Sequence, residues 1–539
     1  MEPFLKFRKE CEKLCKPHGN LLEKPPKELS ADLALPCFSL AKGLKKNPLD
    51  IAKGIAAKFG KGVYISRVEA EGAYVNFYAD WKRLGKDVVL AASRKSFGSG
   101  ARKKERVMVE FSQPNTHKGF HIGHLRNTCI GDSMARIMRF SGFEVISANY
   151  PGDIGAHVAK CLWLYMKQYR GKEPSSGRGR WLGEIYAEAS QLLEKSSEYE
   201  KEYLEVLRRL YSCDSSIMPV WKKTREWSLE EFRNIYRELG VSFDVWFYES
   251  EVEKRGKDFA LQALKRGIAK RSEGAIIFDL NDYGLDVLIV LRSDGTPLYS
   301  TKDLALAEMK FKQYKIDKSV HVVGSEQKLY FRQLFKALEL LGFEQAKQCG
   351  HLSYELVMLK EGKMSSRAGN VILFEDIMED AVEKAKKISA DSAKEVALAA
   401  LKYSMLSRDS SRVIVFDAEE ALSFDGDTGP YLQYTYARAR SILKKSKKKP
   451  SFRAAEEALP VTKKMSEFPS VIRHACDDMK PHYLANYLHE LAAVFNEFYH
   501  ANKVIGGGNE ASLLAVIKSF SHVMKSGLSL LGIPVLERM

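Results

Sequence analysis

Two histidines lie between a strand-like run of apolar residues and a helix-like one. His121 and His124 are three residues apart, so they would share one face of a first helical turn. Free amides and the helix dipole attract anions there, and Gly123 would let a nucleotide approach the backbone closely. We therefore predict that both imidazoles donate hydrogen bonds to phosphate oxygens as charge develops. For these residues taken alone, helix capping and metal ligation stay open as alternatives.

A second polar segment, residues 362–370, lies far downstream. It carries Lys363, Ser365, Ser366 and Arg367 between two glycines, which makes it cationic and rich in hydrogen-bond donors. A mobile loop of this kind can close over a triphosphate. Taken alone, the segment also fits an ordinary surface turn.

The composition limits the class of protein. The chain has 539 residues and a formal net charge of +16, from 85 Lys and Arg against 69 Asp and Glu. With 45% hydrophobic and 11% aromatic residues it can build folded cores, which excludes a mainly disordered protein. At about 150 residues per domain, the length predicts three or four domains. Apolar runs stay well short of the roughly 18 residues that a membrane helix needs.

Three features of the sequence indicate the cellular compartment and the partners of the protein: the cysteines, the N-terminus and the charge. Eight cysteines are scattered without a Cys-x-x-Cys spacing, which favours free thiols in a reducing compartment. The first residues are charged and contain no apolar signal core. We therefore expect a soluble cytoplasmic protein without a membrane partner. Its basic clusters, at 45–46, 103–104 and 444–449, favour a long polyanion such as nucleic acid.

The elements around the first motif form a β-α-β pattern. Residues 107–111 and 144–148 are strand-like, with a helix-like segment between them. The pattern recurs downstream, with strands at 320–323 and 352–359 around a helix at 327–341. Such units build parallel sheets. We therefore predict a doubly wound, Rossmann-like α/β sheet in two halves.

Changes of pattern along the chain predict three domains. Residues 1–95 are predicted to be a small α+β unit, and residues 96–385 the α/β domain with a helical insertion at about 160–290. Residues 386–539 are predicted to be an all-α helical bundle, because strand-like runs disappear after about residue 385. The helix-like segments there are 382–408, 418–445, 464–477, 481–502 and 510–531.

Together the two motifs are far more specific than either alone. The chain resembles the class I aminoacyl-tRNA synthetases in two motifs of a split nucleotide-binding fold. His-Ile-Gly-His lies on the first half of that fold, and Lys-Met-Ser-Ser-Arg follows the second half. Within that class, nearly the whole chain resembles the arginyl-tRNA synthetase family. The matching segments lie in order at 109–124, 149–155, 292–303, 323–327, 351–370 and 424–434.

The resemblance implies an architecture and a reaction. The architecture is an N-terminal tRNA-contacting domain, a catalytic Rossmann domain and a helical anticodon-binding domain. In the implied reaction, which serves translation, ATP and L-arginine give arginyl-adenylate and pyrophosphate, and arginine is then transferred to the 3′ end of its tRNA. Mg²⁺ would accompany ATP without a dedicated protein metal site, and we expect the chain to act as a monomer.

The resemblance also implies the residues of the site. Asp303 matches the family's acidic arginine-binding position, Tyr299 lies one helical turn before it, and Glu273 matches a second acidic position. The other residues implied to bind arginine are Gln113, Pro114, Asn115, His124 and Gln327. Those implied to bind ATP are His121, Gly123, His124, Gly155, Gly324, Glu326, Lys363, Met364, Ser365 and Ser366. The residues implied to act in catalysis are Lys118, His121, His124 and Lys363.

Two positions depart from the pattern of the family. Gln113 stands where Ser or Ala is common, which enlarges a side chain near the amino acid. Ser366 stands where most class I enzymes carry a second lysine. Within this family, Lys118 resembles the residue that substitutes for that lysine, and Arg367 is an alternative.

Contacts with RNA are expected at both ends of the chain. Tyr74 and Asn76 match positions that would stack on and read a base at the outer corner of tRNA, although they also fit ordinary strand residues. Aromatic residues of the C-terminal domain lie at helical spacing. We expect most of them in the core and some on unpaired anticodon bases.

Two other functions fit parts of the sequence. A nucleotidylyltransferase with the same split fold would explain both phosphate loops, but it would leave the basic helical domain without a role. A non-catalytic RNA-binding relative would be expected to lose His121, His124 or Lys363, and all three are present. Arginine-dependent pyrophosphate exchange separates these functions.

Overall fold

The computed structural model describes residues 2–25, 31–359, 372–452 and 459–539. The second phosphate-loop motif lies outside these ranges. The roles predicted for its residues, Lys363, Met364, Ser365, Ser366 and Arg367, therefore stay predictions from the sequence.

The N-terminal unit is a three-stranded antiparallel sheet covered by helices. β2 (Ile65–Glu71) and β3 (Tyr74–Ala79) form a hairpin, and β1 (Leu33–Pro36) pairs with the other edge of β3. Side chains alternate along a strand, so Val75 and Phe77 of β3 are buried in the core. The helices of the unit are α1 (Pro3–Leu14), α2 (Phe38–Leu44), α3 (Pro48–Ala56) and α4 (Trp81–Ala92).

Five parallel strands form the central sheet, which confirms the doubly wound parallel fold. From one edge to the other they are β11 (Cys349–Tyr354), β10 (Lys318–Gly324), β4 (Arg106–Glu110), β5 (Glu144–Asn149) and β6 (Val245–Trp246). Helix α5 (Ile122–Phe140) connects β4 to β5, and α12 (Lys328–Leu340) connects β10 to β11. The chain therefore leaves β4 and β10 in opposite directions. Ligands bind at such a switch point, outside the carboxyl ends of the strands.

The insertion between the two halves contains a sheet as well as helices. Its helices are α6 (Ala156–Leu164), α7 (Arg178–Leu193), α8 (Ser197–Tyr211), α9 (Met218–Leu239) and α10 (Glu249–Lys265). The predicted helical segment 160–290 also includes an antiparallel sheet of β7 (Lys270–Ser272), β8 (Ala275–Asp279) and β9 (Val287–Leu291). In addition, β6 within this range joins the central sheet. Helix α11 (Tyr299–Tyr314) then leads to β10.

The C-terminal part is mainly helical, with two corrections to the predicted strands. The predicted strand 352–359 is two strands, β11 and β12 (Val357–Leu359), which belong to different sheets. A short strand beyond residue 385, β13 (Ile414–Phe416), pairs with β12. The helices are α13 (Phe374–Lys386), α14 (Ala393–Leu406), α15 (Ala418–Ala421), α16 (Gly429–Lys445), α17 (Pro460–Ser466), α18 (Phe468–Asp477), α19 (His482–Ala501) and α20 (Glu510–Leu530). The predicted helix 382–408 is thus divided between α13 and α14.

One hydrophobic core joins the N-terminal unit, the central sheet and the C-terminal helices. At the junction, the hydroxyl of Ser519 on α20 donates a hydrogen bond to the carbonyl oxygen of Val89 on α4, at 2.6 Å. A separate cluster lies within the insertion, around Trp163, and another, around Phe278, joins the sheet of the insertion to α11 and α12. Among the residues that the structure describes, no helix is long and apolar enough to cross a membrane.

Candidate active site

A cavity of about 470 Å³ opens at the carboxyl ends of β4, β5 and β10. Glu110, Tyr150 and Gly324, which lie at or just after the ends of these strands, contribute to its wall. The position is the switch point of the sheet. The predicted substrate residues that line the cavity are Gln113, Asn115, His121, Gly123, His124, Tyr299, Asp303, Gly324, Glu326 and Gln327.

Four described residues that were predicted for the site do not line the cavity. Glu273 is exposed in the turn between β7 and β8, where its φ is 50°. The antiparallel sheet places it in solvent, outside this cavity, so its predicted role in arginine binding stays a prediction from the sequence. Glu249, at the start of α10, supplies a second carboxylate to the cavity instead. The other three are Pro114, Lys118 and Gly155.

His121 and His124 cap the start of α5 reciprocally. Nδ1 of His121 accepts hydrogen bonds from the backbone N–H groups of Gly123 (3.1 Å) and His124 (3.4 Å). Nδ1 of His124 accepts one from the backbone N–H of His121 (3.2 Å). Because each Nδ1 is an acceptor, each neutral ring carries its proton on Nε2. The stacked rings, 3.7 Å apart, thus offer two N–H donors that have no partner within the described ranges.

Both histidines are neutral near pH 7. Burial and the charge of Lys118 lower the pKa of His121 to about 4. Burial, together with His121 and Lys118, lowers the pKa of His124 well below its ordinary value. The Nζ atom of Lys118 itself lies 4.7 Å from the centroid of the Tyr186 ring. Helix capping and phosphate binding are therefore compatible, since capping uses Nδ1 and leaves Nε2 free.

Two buried ion pairs lie in the wall of the cavity. The carboxylate of Glu110 is 2.5 Å from Nζ of Lys310, and the carboxylate of Glu249 is 2.6 Å from Nζ of Lys302. All four residues are buried. A buried charge is costly unless it is paired, so each of these carboxylates is already compensated by a cation of the protein.

Asp303 differs from these two acids because it has no cationic partner of its own among the described residues. Its carboxylate accepts a hydrogen bond from the hydroxyl of Tyr330. Burial raises the pKa of Asp303 to about 7, and the neighbouring Glu110 and Glu249 contribute to the increase. Such a carboxylate gains strongly from a cationic ligand. Tyr299, one turn earlier on α11, lines the same cavity and is 59% exposed.

The loop after β4 has an unusual backbone conformation. Ser112 and Gln113 have positive φ values of 77° and 46°, which are strained for residues other than glycine. Two amides hold them: Asn127 Oδ1 accepts from the N–H of Ser112 at 2.6 Å, and Asn149 Oδ1 from that of Gln113 at 3.1 Å. The side chain of Gln113 also donates to Glu110 at 3.0 Å. Sequence reasoning missed both asparagines, although Asn149 opens one of the matching segments.

Two glycines make room for polar side chains of the cavity. A Cβ atom at Gly152 would lie 2.3 Å from Oδ1 of Asn115, and one at Gly324 would lie 2.2 Å from Oε2 of Glu326. A side chain at either glycine would therefore force Asn115 or Glu326 to move from its place in the cavity. The amide of Asn115 and the carboxylate of Glu326 can accept hydrogen bonds from an ammonium group or from hydroxyl groups.

A fully buried guanidinium group connects α5, which carries the first motif, to β12, the strand that precedes the second motif. Arg126 on α5 donates to the carbonyl oxygens of Glu355 (2.5 Å), Leu356 (3.1 Å) and Arg412 (2.9 Å). These carbonyls lie just before β12 and β13. Burial lowers the pKa of Arg126 to about 10, so the group stays charged near pH 7. It holds α5 and β12 in a fixed relation.

Three family models match successive parts of the chain. The model described as "Arginyl tRNA synthetase N terminal domain" matches residues 6–79, and "tRNA synthetases class I (R), catalytic domain" matches residues 87–408. The "DALR anticodon binding domain" matches residues 432–539. The matches follow one another in the order that the resemblance implies.

Curated relatives and solved structures resemble the chain over nearly its full length. It is 38% identical to the arginine–tRNA ligase of Bdellovibrio bacteriovorus, over 96% of this chain and 94% of the relative. Its identity to the ligase of Clostridium perfringens is 36%, over 96% of both chains. The arginyl-tRNA synthetase of Thermus thermophilus superimposes with a TM-score of 0.83 at 26% identity, over 99% of this chain and 100% of that one. The Plasmodium falciparum structure, at 19% identity, shares the fold over 100% of both chains with a TM-score of 0.80.

Proposed function

This chain belongs to the arginyl-tRNA synthetase family and is a class I aminoacyl-tRNA ligase that charges tRNA with arginine; we propose that it activates arginine in the cavity at the switch point. The observation that carries this assignment is the pairing of the carboxylates. Glu110 and Glu249 each have a lysine, whereas the one hydrogen-bond partner of Asp303 among the described residues is the hydroxyl of Tyr330. A guanidinium group would supply the missing cation, and a carboxylate can bind it through two parallel hydrogen bonds.

The other end of the cavity suits the phosphates of ATP. The Nε2–H groups of His121 and His124 project from the start of α5, where the helix dipole also favours negative charge. In the proposed step, a carboxylate oxygen of arginine attacks the α-phosphorus, and pyrophosphate leaves. No protein nucleophile is needed, so the protein acts by positioning the reactants and by stabilising the developing charge.

Several partner assignments extend this proposal. We propose that Mg²⁺ enters with ATP, held by its phosphates. Within the described ranges there is no group of three or more His, Cys, Asp or Glu residues suited to a metal ion. Glu326 and Gln327 would bind the nucleotide and the amino acid. Tyr74 and Asn76 are proposed tRNA contacts. The domain boundaries, a monomeric state and a cytoplasmic location stay predictions from the sequence.

Exchange of Asp303 for asparagine tests the arginine assignment. Asp303→Asn keeps the size of the side chain and removes its charge. Breaking a buried charge pair costs about 2–5 kcal/mol, so the arginine concentration for half-maximal pyrophosphate exchange should rise on the order of 100-fold. The ATP dependence should change little, because the phosphates would lie at the other end of the cavity. The assay is run with saturating tRNA.

The control is Glu273→Gln, which removes an exposed carboxylate outside the cavity and should leave the arginine dependence unchanged. An unaltered arginine dependence in Asp303→Asn would show that Asp303 has a structural role only. A large effect of Glu273→Gln would support the arginine-binding role that the resemblance implies for Glu273.

A further inference from the structure

Tyr150 carries a buried hydroxyl group for which the described part of the chain supplies no hydrogen-bond partner. It follows directly after β5, and the residue lines the cavity at the switch point. The hydroxyl oxygen is closed off from solvent, and no residue within 2–25, 31–359, 372–452 or 459–539 forms a hydrogen bond with it. A buried polar group in this state is unfavourable, and most such groups in proteins find a partner. An unpartnered group in a ligand cavity therefore indicates that the ligand supplies the partner.

The surroundings of this hydroxyl indicate which ligand chemistry would satisfy it. Burial raises the pKa of Tyr150 well above its ordinary value, and the charges of Asp303, Glu249 and Glu110 raise it further. The phenol is therefore neutral, and it lies within the electrostatic reach of three carboxylates. Two of these already pair with lysines. A ligand group that enters here should be cationic and rich in donors.

We infer that Tyr150 is a further arginine-recognition residue, whose hydroxyl oxygen accepts a hydrogen bond from the guanidinium group of bound arginine. A guanidinium group has five N–H donors and no acceptor, so the hydroxyl must be the acceptor in this contact. Its own proton is then free to be donated to a carboxylate. Because the oxygen is covered in the free protein, side chains around Asp303 must adjust when arginine enters. The inference rests on the proposed arginine site.

Tyr150 would add to specificity as well as to affinity. Asp303 can take two of the five donors in a bidentate contact, and Tyr150 would take a third from a different direction. A lysine ammonium group is compact and cannot present donors in the same planar fork. A site with hydrogen-bonding groups left unmatched by the wrong substrate discriminates strongly.

The test is Tyr150→Phe, which removes only the hydroxyl group. Arginine binding, measured by isothermal titration calorimetry, should weaken on the order of 10-fold, as for the loss of one hydrogen bond to a charged group. The half-saturating ATP concentration in pyrophosphate exchange should stay the same. The melting temperature of the ligand-free variant should be unchanged or higher, because the hydroxyl has no partner to lose.

A matched control is Tyr403→Phe on α14. Tyr403 is also buried, but its hydroxyl donates to Asp427 and lies 3.2 Å from the carbonyl oxygen of Ala485. This variant should lower the melting temperature and leave the arginine affinity unchanged. The two tyrosines should therefore give opposite patterns.

Two outcomes would overturn the inference. One is an arginine affinity of Tyr150→Phe within twofold of wild type. The other is a fall in its ligand-free melting temperature like that of Tyr403→Phe, which would mean that the hydroxyl already has a protein partner. If Asp303→Asn weakens arginine binding and Tyr150→Phe does not, this inference alone fails. If neither variant has an effect, the proposed arginine site fails as well.

Discussion

The cavity at the switch point and the face of the N-terminal sheet that carries Tyr74 and Asn76, here called the N-terminal face, differ in how their side chains are held. The cavity gathers residues from strand ends and helices that are far apart in sequence, and no cation of the described residues pairs with Asp303 there. On the N-terminal face, Tyr74 and Asn76 come from one strand of a local hairpin. Asn76 is fully buried and donates to Glu71 at 3.1 Å, and Tyr74 packs edge-on against Phe38.

This difference shows that a local sequence pattern does not tell whether the polar atoms of a residue are free to bind a ligand. Both regions carry residues that match ligand-binding positions of the family. In the cavity, the histidines use Nδ1 to cap α5, so their Nε2–H groups remain available to a ligand. The carboxylate of Asp303 accepts a hydrogen bond from Tyr330 and remains available to a cation. On the N-terminal face, Asn76 would first have to leave Glu71. We therefore expect large effects from changes in the cavity and small ones from changes on the N-terminal face.

The largest effect is expected at the start of α5. His121→Ala and His124→Ala each remove one donor aimed at the phosphates, so the maximal rate of arginine-dependent pyrophosphate exchange should fall by about 10²–10³-fold. ATP binding should weaken less, because the contacts strengthen in the transition state. Steady-state rates over a range of ATP concentrations measure both quantities.

A capping variant separates catalysis from folding at this position. Asparagine is a good N-cap residue, so His121→Asn should keep the helix start and the melting temperature while the rate still falls. His522→Ala, on α20, is the control outside the cavity. A full rate in His121→Asn would mean that His121 serves the helix only.

An intermediate effect is expected from pH, through Asp303. Its pKa in the folded protein is about 7, above its ordinary value of 3.8, and arginine requires the ionised form. The arginine affinity should therefore fall by up to about tenfold for each pH unit below 7 and level off above about pH 8. The stability of the ligand-free protein should depend on pH in the opposite direction. The folded state holds this proton more tightly, so the carboxyl group favours folding as the pH falls from 7 towards 4.

The pH effect needs a control, because burial also raises the pKa of Glu375 to about 7. Glu375 lies at the start of α13 and does not line the cavity. Glu375→Gln should keep the pH dependence of arginine affinity, whereas Asp303→Asn should abolish it. Calorimetric titrations between pH 6 and 8 distinguish the two. The histidines do not interfere, since the pKa of His121 is about 4 and that of His124 is well below 6.5.

The smallest effects are expected on the N-terminal face. Stacking of a base on an aromatic side chain is worth about 1–3 kcal/mol, so Tyr74→Ala should weaken tRNA binding on the order of 10-fold. Asn76→Ala should weaken it less, because Asn76 is buried and bonded to Glu71. Filter binding of the arginine tRNA measures both. Tyr283→Ala, which removes a tyrosine that is 47% exposed elsewhere, is the control. If Asn76→Ala lowers the tRNA affinity more than Tyr74→Ala does, the hydrogen bond to Glu71 does not keep Asn76 from binding tRNA.

Features with a local cause could be predicted from the sequence. The small α+β unit, the two β-α-β units and the helical C-terminal part follow from periodicity and from turn residues, which act over a few residues. The spacing of His121 and His124 placed them on one helical turn. The motifs together with their order indicated the family, which the comparisons confirm.

Features that depend on distant contacts could be settled only by the tertiary structure. Glu249 lines the cavity and pairs there with Lys302, 53 residues away, which no local pattern predicts. The run 352–359 forms two strands, and Arg126 binds the carbonyls between them from 229 and 230 residues away. The unpartnered hydroxyl of Tyr150 has no sequence signal at all. Amino-acid patterns encode which local element forms, whereas the charge balance and hydrogen bonding of a buried group depend on every neighbour that the fold brings to it.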